Sequence, residues 1–153
     1  MAAEVVRAYK TDSPEETQAI AEALAREAVA GDIFALNGDL GVGKTVFAKG
    51  FARGLGIEEP ITSPTFTILQ EYDTGRLPLY HFDIYRIEDS GEMEETGLSE
   101  YLDGAGVCLI EWAERIADIL PEGINYITIE KDASASPDRR IINVEKVTEA
   151  KQA

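Results

Sequence analysis

Cysteine is almost missing from this chain. Cys108 is the only one in 153 residues, and it lies in the apolar run Val107-Cys108-Leu109-Ile110. That setting reads as a small buried strand residue rather than a nucleophile, and such cysteine usage fits a reducing cytoplasm. Basic residues are scarce as well, 14 Lys and Arg against 29 Asp and Glu, for a formal charge of −15. A surface that itself grips a nucleic-acid backbone needs clustered Lys and Arg, so the balance is unfavourable for direct tight binding of RNA or DNA. The acidity suits either a solvated surface or docking onto a basic partner. No apolar stretch approaches the ~20 residues of a membrane span. The N-terminus, with Glu4 close behind Met1, lacks the basic-then-apolar layout of a signal peptide. A soluble, cytoplasmic protein without membrane contact is expected. No Asn-Lys-x-Asp base-reading segment occurs, which disfavours a GTPase.

What the chain does have is Gly38-Asp39-Leu40-Gly41-Val42-Gly43-Lys44-Thr45, a full match to the phosphate-binding pattern G-x-x-x-x-G-K-[ST]. A phosphate chain needs many donors in a small concave space, and glycines let backbone N–H groups turn inward where a Cβ would block the approach. Lys44 adds a charge for the β- and γ-phosphates. The Thr45 hydroxyl is placed to coordinate Mg²⁺, and the helix that starts here points its positive end at the same anion. The nucleotide-binding set is therefore Asp39, Leu40, Gly41, Val42, Gly43, Lys44, Thr45 and Val46, with a nucleoside triphosphate and Mg²⁺ as cofactors. The flanks agree: Asp32 to Asn37 is a short apolar run typical of a doubly buried strand, and Val46, Phe47, Phe51 and Leu55 recur near helical spacing.

At 153 residues and 44% apolar composition the chain is expected to form one domain over 1–153, with about 148–153 a frayed tail. Residues 4–9 read as a short strand. Ser13-Pro14-Glu15-Glu16 then supplies an N-cap, a proline at the first helical position and a glutamate at the third; Ile20, Leu24 and Ala28 continue that helix, and Gly31 is placed to end it. Gly54 and Gly56 close the helix of the phosphate loop. Phe66 to Tyr72 reads as a strand, and Leu77 to Phe82 as its antiparallel return, which delivers Asp83. Residues 88–103 read as short, interrupted helix with Leu98, Tyr101 and Leu102 buried. Asp103-Gly104-Ala105-Gly106 is a turn. Val107 to Ile110 is a second buried strand ending on Glu111-Trp112, ahead of a helix through Ile116, Ile119 and Leu120 that Pro121 stops. Asn125 to Glu130 and Arg140 to Val144 alternate as a hairpin with one wet face. The fold class is α/β, three layers around a largely parallel central sheet with antiparallel strands at its edges, of the P-loop NTPase kind.

In open α/β sheets ligands sit beyond the carboxyl ends of the strands, where the phosphate loop, Asp83 and Glu111 converge. A carboxylate there can serve bound Mg²⁺, and a further one can orient an attacking water. Each has a plainer reading as well: a turn cap for Asp83, a surface acid capping the next helix for Glu111. His81 precedes Asp83 by two and shares its face, either as a general base or as a packed or hydrogen-bonded strand histidine.

Together, Gly38-Asp39-Leu40-Gly41-x-Gly43-Lys44-Thr45, Ser63-Pro64-Thr65-Phe66-Thr67, His81-Phe82-Asp83-Ile84-Tyr85-Arg86 and Ile110-Glu111-Trp112 closely resemble the TsaE family, formerly YjeE, over residues 13 to 130. The resemblance implies a bacterial ATPase that uses ATP and Mg²⁺ in the threonylcarbamoyl modification of adenosine 37 in tRNAs reading ANN codons. Its partners would be the TsaD–TsaB heterodimer, with tRNA met only through them. It carries a switch-like threonine onto Thr65, a magnesium-associated aspartate onto Asp83, and the family's glutamate and tryptophan onto Glu111 and Trp112. Catalysis would rest on Glu111, Lys44 and Asp83, the metal on Thr45, Asp83 and Glu111, and nucleotide contact would extend to Thr65 and Trp112. Thr65 also reads as a proline-adjacent turn residue. Val42 and Ala113 depart from the family's frequent alanine and proline. Two other functions fit the phosphate loop: a small-molecule kinase, for which no arginine-bearing lid is evident beyond Arg86, and a nucleotide-sensing adaptor without significant turnover.

Overall fold

The computed structural model describes residues 2–38, 43–62, 68–94, 97–132 and 134–148. Asp39 to Val42, the segment Ser63 to Thr67 with Thr65, and 149–153 of the expected tail lie outside the described residues.

Strand β1 (Ala2–Thr11) leads through Ser13 into helix α1 (Pro14–Glu27). The predicted cap forms. Ser13 Oγ accepts from the Glu16 N–H at 3.1 Å, and Glu16 Oε1 accepts from the Asp12 N–H at 2.7 Å, so two donors at the helix start are satisfied. The helix stops short of Gly31. Ala28 is already extended, and the Arg76 guanidinium donates to the carbonyls of Ala25, Arg26 and Ala28 at 2.8, 3.0 and 2.8 Å. A cation on the last carbonyls is a helix terminator that no local sequence signal announces. Gly31, at φ +92°, instead turns the chain into β2 (Ile33–Asn37).

Helix α2 (Lys44–Gly54) packs on α1. A Cβ at Gly50 would lie 2.5 Å from the Gln18 carbonyl oxygen, and one at Gly54 2.5 Å from that of Glu22. Gly54, the last residue of the helix, thus also makes the helix contact, and the exit is completed at Gly56, with φ +83°. Arg53 adds Nη1 to Glu22 at 2.7 Å and Nη2 to Gln18 at 3.2 Å across the same seam.

The remaining strands are β3 (Leu69–Tyr72), β4 (Leu79–Asp83), β5 (Val107–Glu111), β6 (Asn125–Lys131) and β7 (Arg140–Thr148). They form one seven-stranded sheet in the order β1-β7-β6-β2-β5-β4-β3. Strands β6, β2, β5 and β4 run parallel, while β7, β1 and β3 each pair antiparallel with their neighbours. The expected β6–β7 hairpin is present but not peripheral, since β6 also pairs with β2 and β7 with β1. Strand β3 begins at Leu69, because Ile68 just before it has φ +69° and leaves the extended region; Phe66 and Thr67 of the expected strand lie outside the described residues.

Two cores sandwich the sheet. Phe34, Leu36, Leu79, Val107, Leu109 and Ile127 face α1 and α2. Ile33, Ala35, Phe82, Cys108 and Ile110 face helices α3 (Gly91–Glu94) and α4 (Leu98–Leu102) and the turn after β5. Leu98 is buried as expected, Tyr101 and Leu102 only half-buried, and Met93, unanticipated, is fully buried. The helix expected after Trp112 is a 3-10 segment, Ala113–Ile119, broken where Ile116 leaves helical geometry at φ −128° and is buried in the core. No helix among the described residues is long and apolar enough to cross a membrane.

Candidate functional site

Parallel register sets the site. Asp83 stands beside Glu111 across β4 and β5, and Glu111 beside Leu36 across β5 and β2. Side chains alternate along a strand, so His81, Asp83 and Glu111 share the face of Leu36 and Leu109, the one α2 covers. The N-terminus of α2, with Gly43 and Lys44, lies over the same carboxyl ends. Gly43 has φ +115°, costly for any side chain, and a Cβ there would meet no atom within 4 Å among the described residues. At Gly43, therefore, the bare backbone faces open space among the described residues.

Lys44 is buried, yet its ammonium has no hydrogen-bond partner among the described residues. It rests 4.0 Å from the centre of the Trp112 ring. Trp112 itself is held at φ +65°, with Tyr85 packed against it at 4.9 Å between ring centres and the Arg115 guanidinium 5.9 Å away. Thr45 is exposed and Val46 half-buried.

Both acids are buried. Asp83 Oδ1 accepts from the Tyr85 N–H at 3.1 Å, which realises the turn-capping reading. Glu111 is no surface acid: its Oε2 lies 2.7 Å from His81 Nε2. Sequence reasoning put His81 on the right face but did not give it this partner; the His81-x-Asp83 spacing was the available signal. Buried side-chain polar atoms without a partner are exceptions in folded proteins. Here, among the described residues, they are Asn37 Oδ1, Lys44 Nζ and His81 Nδ1, all around the carboxyl ends of β2 and β4 and the start of α2.

Beside Gly43 and Val46 lies a cavity of about 50 Å³ whose wall includes Ser13, Thr17, Asp138 and Arg140, none of them part of the phosphate-binding motif. A larger one, about 210 Å³, opens at the amino-terminal ends of the parallel strands between Arg7, Glu27, Asp32, Asn125 and Lys146. Its ion pair, Arg7 with Glu27 at 3.9 Å, is solvent-exposed, and none of the loop or strand-end groups reaches it, so size does not mark the site. Cys108 is equally remote from chemistry. Burial pushes its thiol up to about 12, and its Sγ–H donates to the Tyr101 carbonyl at 3.6 Å.

A parallel sheet covered on both faces, with a glycine-rich connection from β2 into α2 and acids at the ends of the neighbouring strands, defines an α/β protein of the P-loop NTPase kind. The sequence model of the family described as "Threonylcarbamoyl adenosine biosynthesis protein TsaE" matches residues 11–141. The chain is 53% identical over 134 residues, 88% of its length and 82% of the relative's, to the tRNA threonylcarbamoyladenosine biosynthesis protein TsaE of Bacillus subtilis. It is 49% identical over 111 residues, 72% of its length and 80% of the relative's, to the protein of that name from Treponema pallidum. The crystal structure of Bacillus subtilis YdiB superposes with a TM-score of 0.82 at 44% identity, covering 96% of this chain and 88% of that one. The chain belongs to the TsaE family.

Proposed function

We propose that this protein binds ATP and Mg²⁺ at the Gly38 to Thr45 loop and hydrolyses the nucleotide. In this reading the cycle serves threonylcarbamoyl modification of adenosine 37 in ANN-reading tRNAs, with the TsaD–TsaB heterodimer as partner. The observation that carries the reading is Lys44: a buried ammonium without a hydrogen-bond partner among the described residues, beside a glycine whose missing Cβ leaves space for an anion. An unpaired buried charge is costly, and a triphosphate supplies the missing partner.

Thr45 and Asp83 would hold Mg²⁺, with Glu111 as a further ligand. Among the described residues no group of three or more His, Cys, Asp or Glu could hold a metal. That accords with an ion that takes much of its shell from phosphate and water. When bound, it neutralises charge developing on the phosphate oxygens. Lys44 leaves the Trp112 ring for the phosphates. Glu111 accepts a hydrogen bond from the attacking water and orients it. A charge of −15 leaves tRNA contact to the partners.

Phosphate release measured with and without purified TsaD–TsaB tests the reading, with Glu111→Gln as the informative variant. That variant keeps the size but not the charge, so ATP should still bind while turnover falls about a hundredfold. Equal turnover in the variant removes Glu111 from the chemistry. A wild-type protein that neither binds nor hydrolyses ATP, alone or with the pair, ends the proposal.

A further inference from the structure

Asp83 and Glu111 are cross-strand neighbours, both buried, on one face of a parallel sheet. Two carboxylates so placed repel each other and are poorly solvated. His81 stands beside Leu109, one step back along the same face, and its ring reaches diagonally to Glu111 Oε2 at 2.7 Å. The imidazole is 1% exposed and fully walled in. A carboxylate only accepts, so Nε2 is the donor, and Nδ1 meets no partner among the described residues. Glu111 has three rotatable bonds, whereas the strand histidine has two and a rigid ring; one anchored oxygen therefore removes most of the freedom of the acid.

We propose that His81 is a positioning residue for hydrolysis: its Nε2–H holds Glu111 Oε2 and thereby presents the other carboxylate oxygen to the attacking water. The inference rests on the ATPase reading and adds to it the group that aims the base. It predicts a loss in kcat rather than in nucleotide affinity, because the ring touches the acid and not the phosphates.

The chain has one histidine, so its ring resonances are unambiguous in NMR. In nucleotide-free protein the ring proton should sit on Nε2, downfield and slow to exchange. It should move upfield in Glu111→Gln, where an amide oxygen replaces a carboxylate. In kinetics, His81→Asn is too short to reach Glu111 and should lower kcat roughly 10–100-fold with the ATP dissociation constant changed less than about threefold. His81→Gln, whose amide nitrogen falls near the lost Nε2, should recover most of that loss. A ring proton found on Nδ1, kcat unchanged in His81→Asn, or Asn and Gln variants equally slow would each overturn the positioning role. If His81→Asn does not fold, the ring proton and the His81→Gln rate still decide it. A wild-type protein without hydrolysis would instead remove the ATPase reading beneath it, whatever the ring proton shows.

Discussion

Lys44 and Trp112 account for each other. A tryptophan at φ +65° carries backbone strain of roughly 1–3 kcal/mol. Contact with Tyr85 and with the Lys44 ammonium offsets part of it, a cation over an indole contributing about 0.5–2 kcal/mol. The same contact keeps a buried cation without a hydrogen-bond partner among the described residues tolerable. Lys44→Ala should therefore weaken ATP binding about tenfold to a hundredfold, since hydrogen bonds to charged groups contribute ~1.5–3 kcal/mol. It should also change the emission of the single tryptophan in nucleotide-free protein. Calorimetry and fluorescence check both; an unchanged dissociation constant would remove the Gly38 to Thr45 loop as the nucleotide site.

At the scale of elements, the seam between α1 and α2 fixes the position of α2, which begins at Lys44. Gly50 lies in the middle of α2, where alanine would gain up to about 1 kcal/mol in helix propensity. Its Cβ, however, would stand 2.5 Å from the Gln18 carbonyl oxygen and 2.7 Å from the Gln18 Cα, and backbone cannot swing aside as a side-chain tip can. Overpacking costs typically ~1–3 kcal/mol, so repulsion wins. Gly50→Ala should lower Tm by about 2–8 °C in a thermal melt. A raised Tm would mean that α1 yields freely and that the close approach is incidental. The hairpin turn is the second fastening. Arg76 closes α1, and the Gly75 region sits so near α2 that a Cβ there would be 2.3 Å from the Leu55 carbonyl oxygen.

For the molecule as a whole, the proposed function requires that a nucleotide at the carboxyl ends of the parallel strands be reported to a partner. The hydroxyl-rich connection Ser63 to Thr67 runs in sequence between the loop's helix and β3, and β3 is hydrogen-bonded to the strand that ends on Asp83. The backbone N–H of Asp83 donates to the Ile68 carbonyl at 2.8 Å, tying the exit of that connection to the proposed magnesium ligand. We expect binding to TsaD–TsaB to depend on nucleotide state, with Thr65 as the sensor. A decisive shift of a two-state segment takes ~5.5 kcal/mol of differential binding. Thr65→Ala should then shrink the difference in partner affinity between ATP and ADP more than it weakens ATP binding. Light scattering of mixtures in both nucleotides measures this; wild-type binding that is equal with ATP, ADP and neither would sink it.

The sequence by itself determined the buried strands β2 and β5, the capped start of α1, the start of α2 after the glycine-rich motif and the acids at strand ends. These are local or periodic: continuous apolar runs, a serine and a glutamate three apart, glycines at fixed offsets. Tertiary structure alone decided the rest. Arg76 ends α1 from a distant hairpin, Gly54 is required by helix packing as well as standing at the end of α2, and the β6–β7 hairpin is inserted between β2 and β1. The partner of Glu111 and the left-handed backbone of Trp112 were likewise beyond any local pattern, because each depends on which strands become neighbours. Strand register is a long-range property, and it places His81 two residues before the neighbour of Glu111 and Lys44 against the ring that follows it.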